Sequence, residues 1–124
     1  MELEARLKGI RQLGFWFNEQ KGESLDALCQ IAANQNNWFT KESIEKCFNA
    51  WAEALQKDKM QDWVKPYSFK ASGKNIGLVL AGNIPLVGFH DFLSVLISGN
   101  KGVVKLSSND SVLLPYLWEV LCEI

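Results

Sequence analysis

Apolar residues recur at helical spacing along the first half of the chain, then collect into short runs separated by glycine-bearing turns. Leu3, Leu7, Ile10, Leu13 and Phe17 share one helical face, which predicts a helix over residues 2–18; Trp16 widens its stripe. Lys21-Gly22-Glu23 breaks this helix. Ser24 is the expected N-cap of a second, with Leu25, Leu28, Cys29 and Ala32 inward. After the polar run Asn34-Gln35-Asn36-Asn37, Thr40 is placed to cap a third helix. Phe39 and Ile44 stand at the two positions of a hydrophobic staple, and Phe48, Trp51 and Leu55 continue the stripe to about residue 57. A shorter amphipathic piece carries Met60, Trp63 and Val64, and Pro66 stops it. The aromatic stripe reads as core for Trp16, Trp38, Trp51 and Trp63.

The second half changes period. Residues 67–71 read as a short extended segment and Ser72-Gly73-Lys74-Asn75 as a turn. The run Ile76-Gly77-Leu78-Val79-Leu80-Ala81 has the length and composition of a buried strand. Gly82-Asn83-Ile84-Pro85 turns the chain into an apolar helix over residues 86–97. Gly99-Asn100-Lys101-Gly102 breaks that helix, and Val103-Val104-Lys105-Leu106 makes a second strand. A last helix is expected over residues 111–124, capped by Asn109 or Ser111, with Pro115 in its first turn. Strand, helix, strand, helix is a βαβα unit. The fold class is therefore α/β, with N-terminal helices over residues 1–66 followed by the start of a Rossmann-like parallel sheet over residues 67–124. Parallel strands are covered on both faces in complete folds, so two of them form an incomplete sheet. The expectation is an N-terminal portion of a longer protein. The alternative is a compact module that closes its sheet edges as a homo-oligomer.

Composition narrows the function classes. The chain has 124 residues, of which 48% are hydrophobic and 22% charged, as in an ordinary globular domain. A net charge of −1, with cations scattered among acids, argues against nucleic acid as a partner. The charged N-terminus lacks a signal-peptide core. Pro85, Gly88, His90 and Asp91 interrupt the longest apolar stretch, so no membrane insertion is expected and a cytoplasmic location is. Cys29, Cys47 and Cys122 are far apart and have no metal-binding spacing, so no metal is expected and all three read as small buried hydrophobes.

The polar corner after the first strand carries the candidate chemistry. The neutral amide of Asn83 can stabilise negative charge developing on a carbonyl oxygen, or it can cap the following helix. Residue type alone favours the cap. Lys105 ends the second strand, where dinucleotides bind in α/β sheets; the other reading is a strand-end lysine reaching solvent. Ser107 and Ser108 can offer hydroxyls to ribose or phosphate, or shape the turn. His90 has no partner nucleophile in the sequence and reads as a packing residue. There is neither a GxGxxG run nor a P-loop.

Those residues carry a resemblance. Ala81-Gly82-Asn83-Ile84-Pro85-Leu86, a helix ending in Gly99-Asn100, and Val103-Val104-Lys105-Leu106-Ser107-Ser108 resemble the aldehyde dehydrogenase superfamily. That superfamily has an Asn-aromatic-Pro turn, a helix ending in Gly-Asn, and a strand ending in Lys-Pro-Ser-Glu. The form found here, with Trp38-Phe39-Thr40 upstream, is most similar to its acyl-CoA reductase (LuxC-like) branch. The resemblance implies that Asn83 helps form an oxyanion hole. It implies that Ala81 and Gly82 line the nicotinamide side of a cofactor cleft, and that Lys105 and Ser107 approach the adenosine ribose or its phosphate. Ser108 departs from the pattern, standing where many members have Glu. A carboxylate there would repel a 2′-phosphate and a hydroxyl would not, so NADPH is expected in preference to NADH.

The implied protein reduces an acyl-CoA substrate to a fatty aldehyde through a cysteine thioester. None of this chain's cysteines matches the superfamily's nucleophile, so this chain alone is expected to be inactive. Two other readings stand beside it: a non-catalytic helical and α/β interaction module, and a nucleotide-binding domain with other chemistry.

Overall fold

The computed structural model describes residues 2–70 and 72–124. Six helices and two strands follow in the order α1 (Leu3–Glu19), α2 (Glu23–Gln35), α3 (Lys41–Ala54), α4 (Lys57–Val64), β1 (Asn75–Val79), α5 (Phe89–Ser98), β2 (Lys101–Lys105) and α6 (Leu113–Glu123). The chain is α-rich with a small parallel sheet, and so α/β. β1 pairs with β2 in parallel, from Asn75 opposite Lys101 to Val79 opposite Lys105.

The predicted stripes became the core. Leu7, Ile10, Leu13 and Phe17 of α1 are buried with Leu25, Leu28, Cys29 and Ala32 of α2. Thr40 caps α3 by accepting the Ser43 N–H at 3.1 Å, and Phe39 and Ile44 on either side are buried as a staple requires. Phe17, Phe48 and Phe89 meet edge to face, which brings the helical half onto α5. α5 contacts both strands as well as α1. It is therefore apolar on most of its circumference, and Phe89, Phe92, Leu93, Val95 and Ile97 are buried.

Several expectations need correction. Ser24 does not cap α2: Gly22 occupies that position, and the Ser24 hydroxyl donates instead to the Lys21 carbonyl. Trp38 is 85% exposed, because its place between two helices turns it outward while Phe39 takes the core position. Cys122 is exposed on α6, and Cys47 is only half-buried. α5 begins at Phe89 rather than at residue 86, since residues 85–88 form a turn in which Leu86 has φ 56°. β2 begins at Lys101, so the break is only Gly99 and Asn100; Gly99 ends α5 in the left-handed region at φ 79°, which glycine enters without strain. Residues 67–70 form no strand, and Ala71 lies outside the described residues. Neither predicted residue caps α6: Val112 occupies the N-cap position, and its free N–H groups turn to Asp110.

Among the described residues, no helix is long and apolar enough to cross a membrane. The sheet is partly bare, with Val79 and Val103 largely exposed.

Candidate functional site at the carboxyl ends of the strands

Parallel pairing carries both strands to the same end of the sheet, where the Leu80 N–H donates to the Lys105 carbonyl at 3.1 Å. The next residues on each strand therefore face one another: Ala81, Gly82 and Asn83 on one side, Ser107 and Ser108 on the other. All six residues singled out from the sequence, Lys105 included, lie at this corner. Ala81, Asn83, Lys105 and Ser108 are exposed, Ser107 is half-buried and Gly82 is buried.

Close approach explains Gly82. A Cβ there would stand 2.6 Å from Ser107 Oγ, 2.8 Å from Ser107 Cβ and 3.1 Å from Asn109 Cβ. The β2–α6 loop is itself folded against this point. Asp110 N–H donates to the Ser107 carbonyl at 3.1 Å, and the Ser107 hydroxyl accepts the Asn109 N–H at 3.1 Å, a local serine turn. Ser107 thus has a defined structural task, and its hydroxyl hydrogen is still available to donate.

The end of α2 clamps both sides. Asn36 Nδ2 donates to the Gly82 carbonyl at 3.3 Å and to the Asn109 carbonyl at 3.1 Å. Ser111 N–H donates to Gln35 Oε1 at 2.9 Å, and Gln35 Nε2 also reaches the Ser111 hydroxyl. The polar run Asn34-Gln35-Asn36-Asn37, which the sequence marks only as a helix end, supplies the brace of the corner. Helix stops rich in Gln and Asn are common, so nothing in the sequence points to this task.

Asn83 differs from these braced groups. It lies five residues before Gly88, the N-cap of α5, so it does not cap that helix. Among the described residues its side chain makes no hydrogen bond, and it is exposed. Its backbone is nonetheless held on both flanks: Gly82 by Asn36, and Pro85 by Cys47, whose Sγ donates to the Pro85 carbonyl at 3.3 Å. Cys47 was legible only as a core residue. It lies beside the turn, but burial, aided by the nearby Asp110 charge, pushes its thiol up to about 11. It stays protonated at neutral pH and is a structural donor rather than a nucleophile.

Asp110 is the other residue the sequence did not single out. It is 8% exposed, the buried charged residue of the described core. Its Oδ1 accepts the Leu113 N–H at 3.2 Å and the Val112 N–H at 3.4 Å. Burial raises its pKa above 3.8 against the opposing pull of nearby backbone N–H groups, Leu113 and Val112 foremost. Its one sequence signal is an acid two residues before an apolar run, which marks many helix starts.

His90 is exposed at the first turn of α5, its ring 5.3 Å from that of Trp63, and it does not reach the corner through any recorded contact. Two grooves lie elsewhere. One, of about 420 Å³, lies between α1 and α4 and includes Lys8, Arg11 and Lys57. The other, of about 380 Å³, is apolar and lies between α5, β2 and α6, with Phe92, Val104, Leu114 and Trp118. Neither is lined by Asn83 or Lys105. No group of three or more His, Cys, Asp or Glu side chains suited to a metal occurs among the described residues.

The corner thus offers a neutral amide donor, an exposed ammonium and a serine-rich loop at the carboxyl end of a parallel sheet. That set can hold negative charge in two places. Comparison with known proteins agrees with the resemblance seen in the motifs: the family model described as "Acyl-CoA reductase (LuxC)" matches residues 17–124. No curated protein and no solved structure matches the chain.

Proposed function

The chain belongs to the acyl-CoA reductase (LuxC) family, and from that premise we propose that it supplies one wall of the active-site cleft of an NADPH-dependent enzyme reducing acyl-CoA to fatty aldehyde. The observation that carries this reading is the idle amide of Asn83: exposed, without a partner among the described residues, and held by backbone anchors at Gly82 and Pro85. A surface asparagine with no capping role has no structural reason to sit in so braced a turn. As a preorganised donor it suits an oxygen that gains charge when a thioester is attacked.

Each neighbour takes a role in this reading. Asn83 donates to the thioester carbonyl oxygen and stabilises it as it becomes an oxyanion. Ala81, exposed at the corner, and Gly82 behind it form the backbone on the nicotinamide side of the cleft. Lys105 places its ammonium beside the ribose or a 2′-phosphate, and Ser107 and Ser108 offer hydroxyls there. When bound, the reduced dinucleotide supplies the hydride. The attacking thiolate comes from outside these 124 residues, since Cys47 is held protonated and Cys29 and Cys122 have no recorded contact with the corner. The aldehyde dehydrogenase-like fold follows as part of the same proposal.

The test is acyl-CoA-dependent oxidation of NADPH by the full-length protein and its Asn83→Ala variant. A loss of about 100- to 1,000-fold in kcat is expected, as for removal of an oxyanion donor elsewhere. Unchanged turnover in the variant would remove Asn83 from the reaction.

A further inference from the structure

Four of the five tryptophans have an aromatic neighbour: Trp16 meets Phe17, Trp51 meets Phe89, Trp63 meets His90 and Trp118 meets Phe92. Trp38 has none among the described residues, its side chain makes no hydrogen bond there, and it is 85% exposed. A single exposed apolar side chain is ordinary on a protein surface. The place of this one is not. Asn36 Oδ1 accepts the Trp38 N–H at 3.0 Å, while Nδ2 of the same amide donates to the Gly82 carbonyl at 3.3 Å. One side chain therefore separates the backbone of Trp38 from the residue before Asn83. The Trp38 carbonyl accepts the Thr40 N–H at 3.1 Å, and Phe39 beside it is buried, so this backbone is fixed on both sides. α3, which starts just beyond Thr40, reaches the other flank of the Asn83 turn through Cys47 and Pro85. Within that turn Ile84 is a second large apolar side chain left 54% exposed.

We propose that Trp38 and Ile84 receive the acyl chain of the thioester whose carbonyl oxygen Asn83 holds. The inference rests on the proposed role of Asn83 and names the part of the substrate that lies beside it. A thioester carbonyl carbon bears two substituents, the acyl chain and the sulfur of CoA, and charge distinguishes them. The phosphates of CoA call for cations. The stretches that build the two loops supply none: no Lys or Arg occurs between Lys21 and Lys41, or between Lys74 and Lys101. Lys41 itself is held by Asp26 at 2.6 Å. An indole and a branched aliphatic side chain fit a methylene chain and offer little to a phosphate. Because the Trp38 backbone is already fixed, binding orders only the two torsions of its side chain.

The test is the dependence on chain length in the full-length protein. kcat and KM are measured for acetyl-, octanoyl- and tetradecanoyl-CoA in wild type, Trp38→Ala and Trp38→Phe. Each fully buried methylene is worth roughly fourfold in affinity, so Trp38→Ala should raise KM for the two longer substrates about tenfold or more. KM for acetyl-CoA, and kcat for all three, should stay within about twofold, and Trp38→Phe should recover most of the loss. The exposed ring has no partner to lose, so the denaturant midpoint should not move. An equal rise in KM for all three substrates overturns the inference, because the ring then meets CoA or acts through the fold. Unchanged kinetics with every substrate overturns it, and so does weakened NADPH binding in Trp38→Ala, which would place the ring on the cofactor. S-ethyl- and S-octyl-CoA, thioethers that cannot be reduced, are titrated in parallel by calorimetry. If wild type oxidises NADPH with no acyl-CoA, the reductase reading fails. The thioethers still decide the chain contact: weaker binding of the octyl compound alone in Trp38→Ala upholds it, and equal effects on both overturn it.

Discussion

Two asparagines at opposite ends of the sheet contrast most clearly. Asn100 begins β2. Its Oδ1 accepts the Lys74 N–H at 3.1 Å and the Ser72 hydroxyl at 2.6 Å, and its Nδ2 donates to the Ser98 hydroxyl at 3.0 Å. Beside it the Lys101 N–H donates to the Lys74 carbonyl at 2.8 Å, so Asn100 ties the start of one strand to the start of the other. Asn83 follows β1 at the carboxyl end, and its side chain makes no hydrogen bond among the described residues. Both lie in a glycine-asparagine pair, Gly82-Asn83 and Gly99-Asn100. One amide is engaged in holding the sheet. The other is held by its backbone and left idle. An engaged amide explains its own presence through stability, and an idle one in a braced turn calls for a ligand.

The contrast is broken most directly by exchanging each asparagine for alanine. Asn83→Ala carries the largest expected effect, the loss of about 100- to 1,000-fold in turnover, with little change in stability because no hydrogen bond among the described residues is lost. Asn100→Ala should do the reverse. It frees a backbone donor and two hydroxyl partners in a half-buried place, which costs about 1–3 kcal/mol in denaturant unfolding. Turnover measured below the unfolding transition should stay within about twofold. If the stability losses of the two variants are equal, the distinction between the two ends collapses.

Much of the fold was legible because it is written in single-element patterns. The stripe Leu7, Ile10, Leu13, Phe17 and the staple Phe39 with Ile44 specify their helices locally, and tertiary packing agrees with them. The parallel pair and its carboxyl-end corner were legible too, since the period changes sharply at residue 76. Three things were not. Trp38 was read from residue type, and a neighbour, Phe39, took the core position. The start of α5 was misplaced because Leu86, an apolar residue inside an apolar run, adopts a left-handed conformation that no local signal announces. Asn36 was passed over because its task is long-range: it reaches residues 46 and 73 positions away. Spacing along a chain carries helical faces well and such bridges hardly at all.

The two ends also differ in charge. The described residues bury one carboxylate, Asp110, and they bury it at the carboxyl end. Its folded-state pKa is raised above 3.8, chiefly by burial. The protonated form is therefore the one that folding favours. The stability it brings is fully present below about pH 3.8, and it is lost as pH rises through the folded pKa. At neutral pH the buried charge weighs on the fold. Asp110→Asn removes that pH-dependent part, so its unfolding free energy relative to wild type should improve steadily from about pH 3 upward, levelling off above the folded pKa. Denaturant titrations at several pH values measure this. A wild-type-minus-variant difference that does not change with pH would show that Asp110 titrates alike folded and unfolded, and the buried-charge account would fail.

The smallest expected effect concerns what the carboxyl end receives. Lys105 and Ser108 are both exposed there, and neither forms an ion pair among the described residues. An ammonium with a hydroxyl nearby can accept a 2′-phosphate, and the missing carboxylate removes the repulsion that would exclude it. Affinity for NADPH should exceed that for NADH by a modest factor, about 3- to 30-fold at low salt, and should shrink as salt screens the exposed ammonium. Ser108→Glu should narrow or reverse the preference by weakening NADPH rather than by improving every contact to NADH, while Lys105→Ala should weaken NADPH more than NADH. Equilibrium binding of both dinucleotides to the full-length protein, at two salt concentrations, distinguishes these outcomes. A preference that survives both substitutions would mean that the phosphate is read by another part of the cleft, and that of the two ends compared only the idle amide of Asn83 acts on substrate.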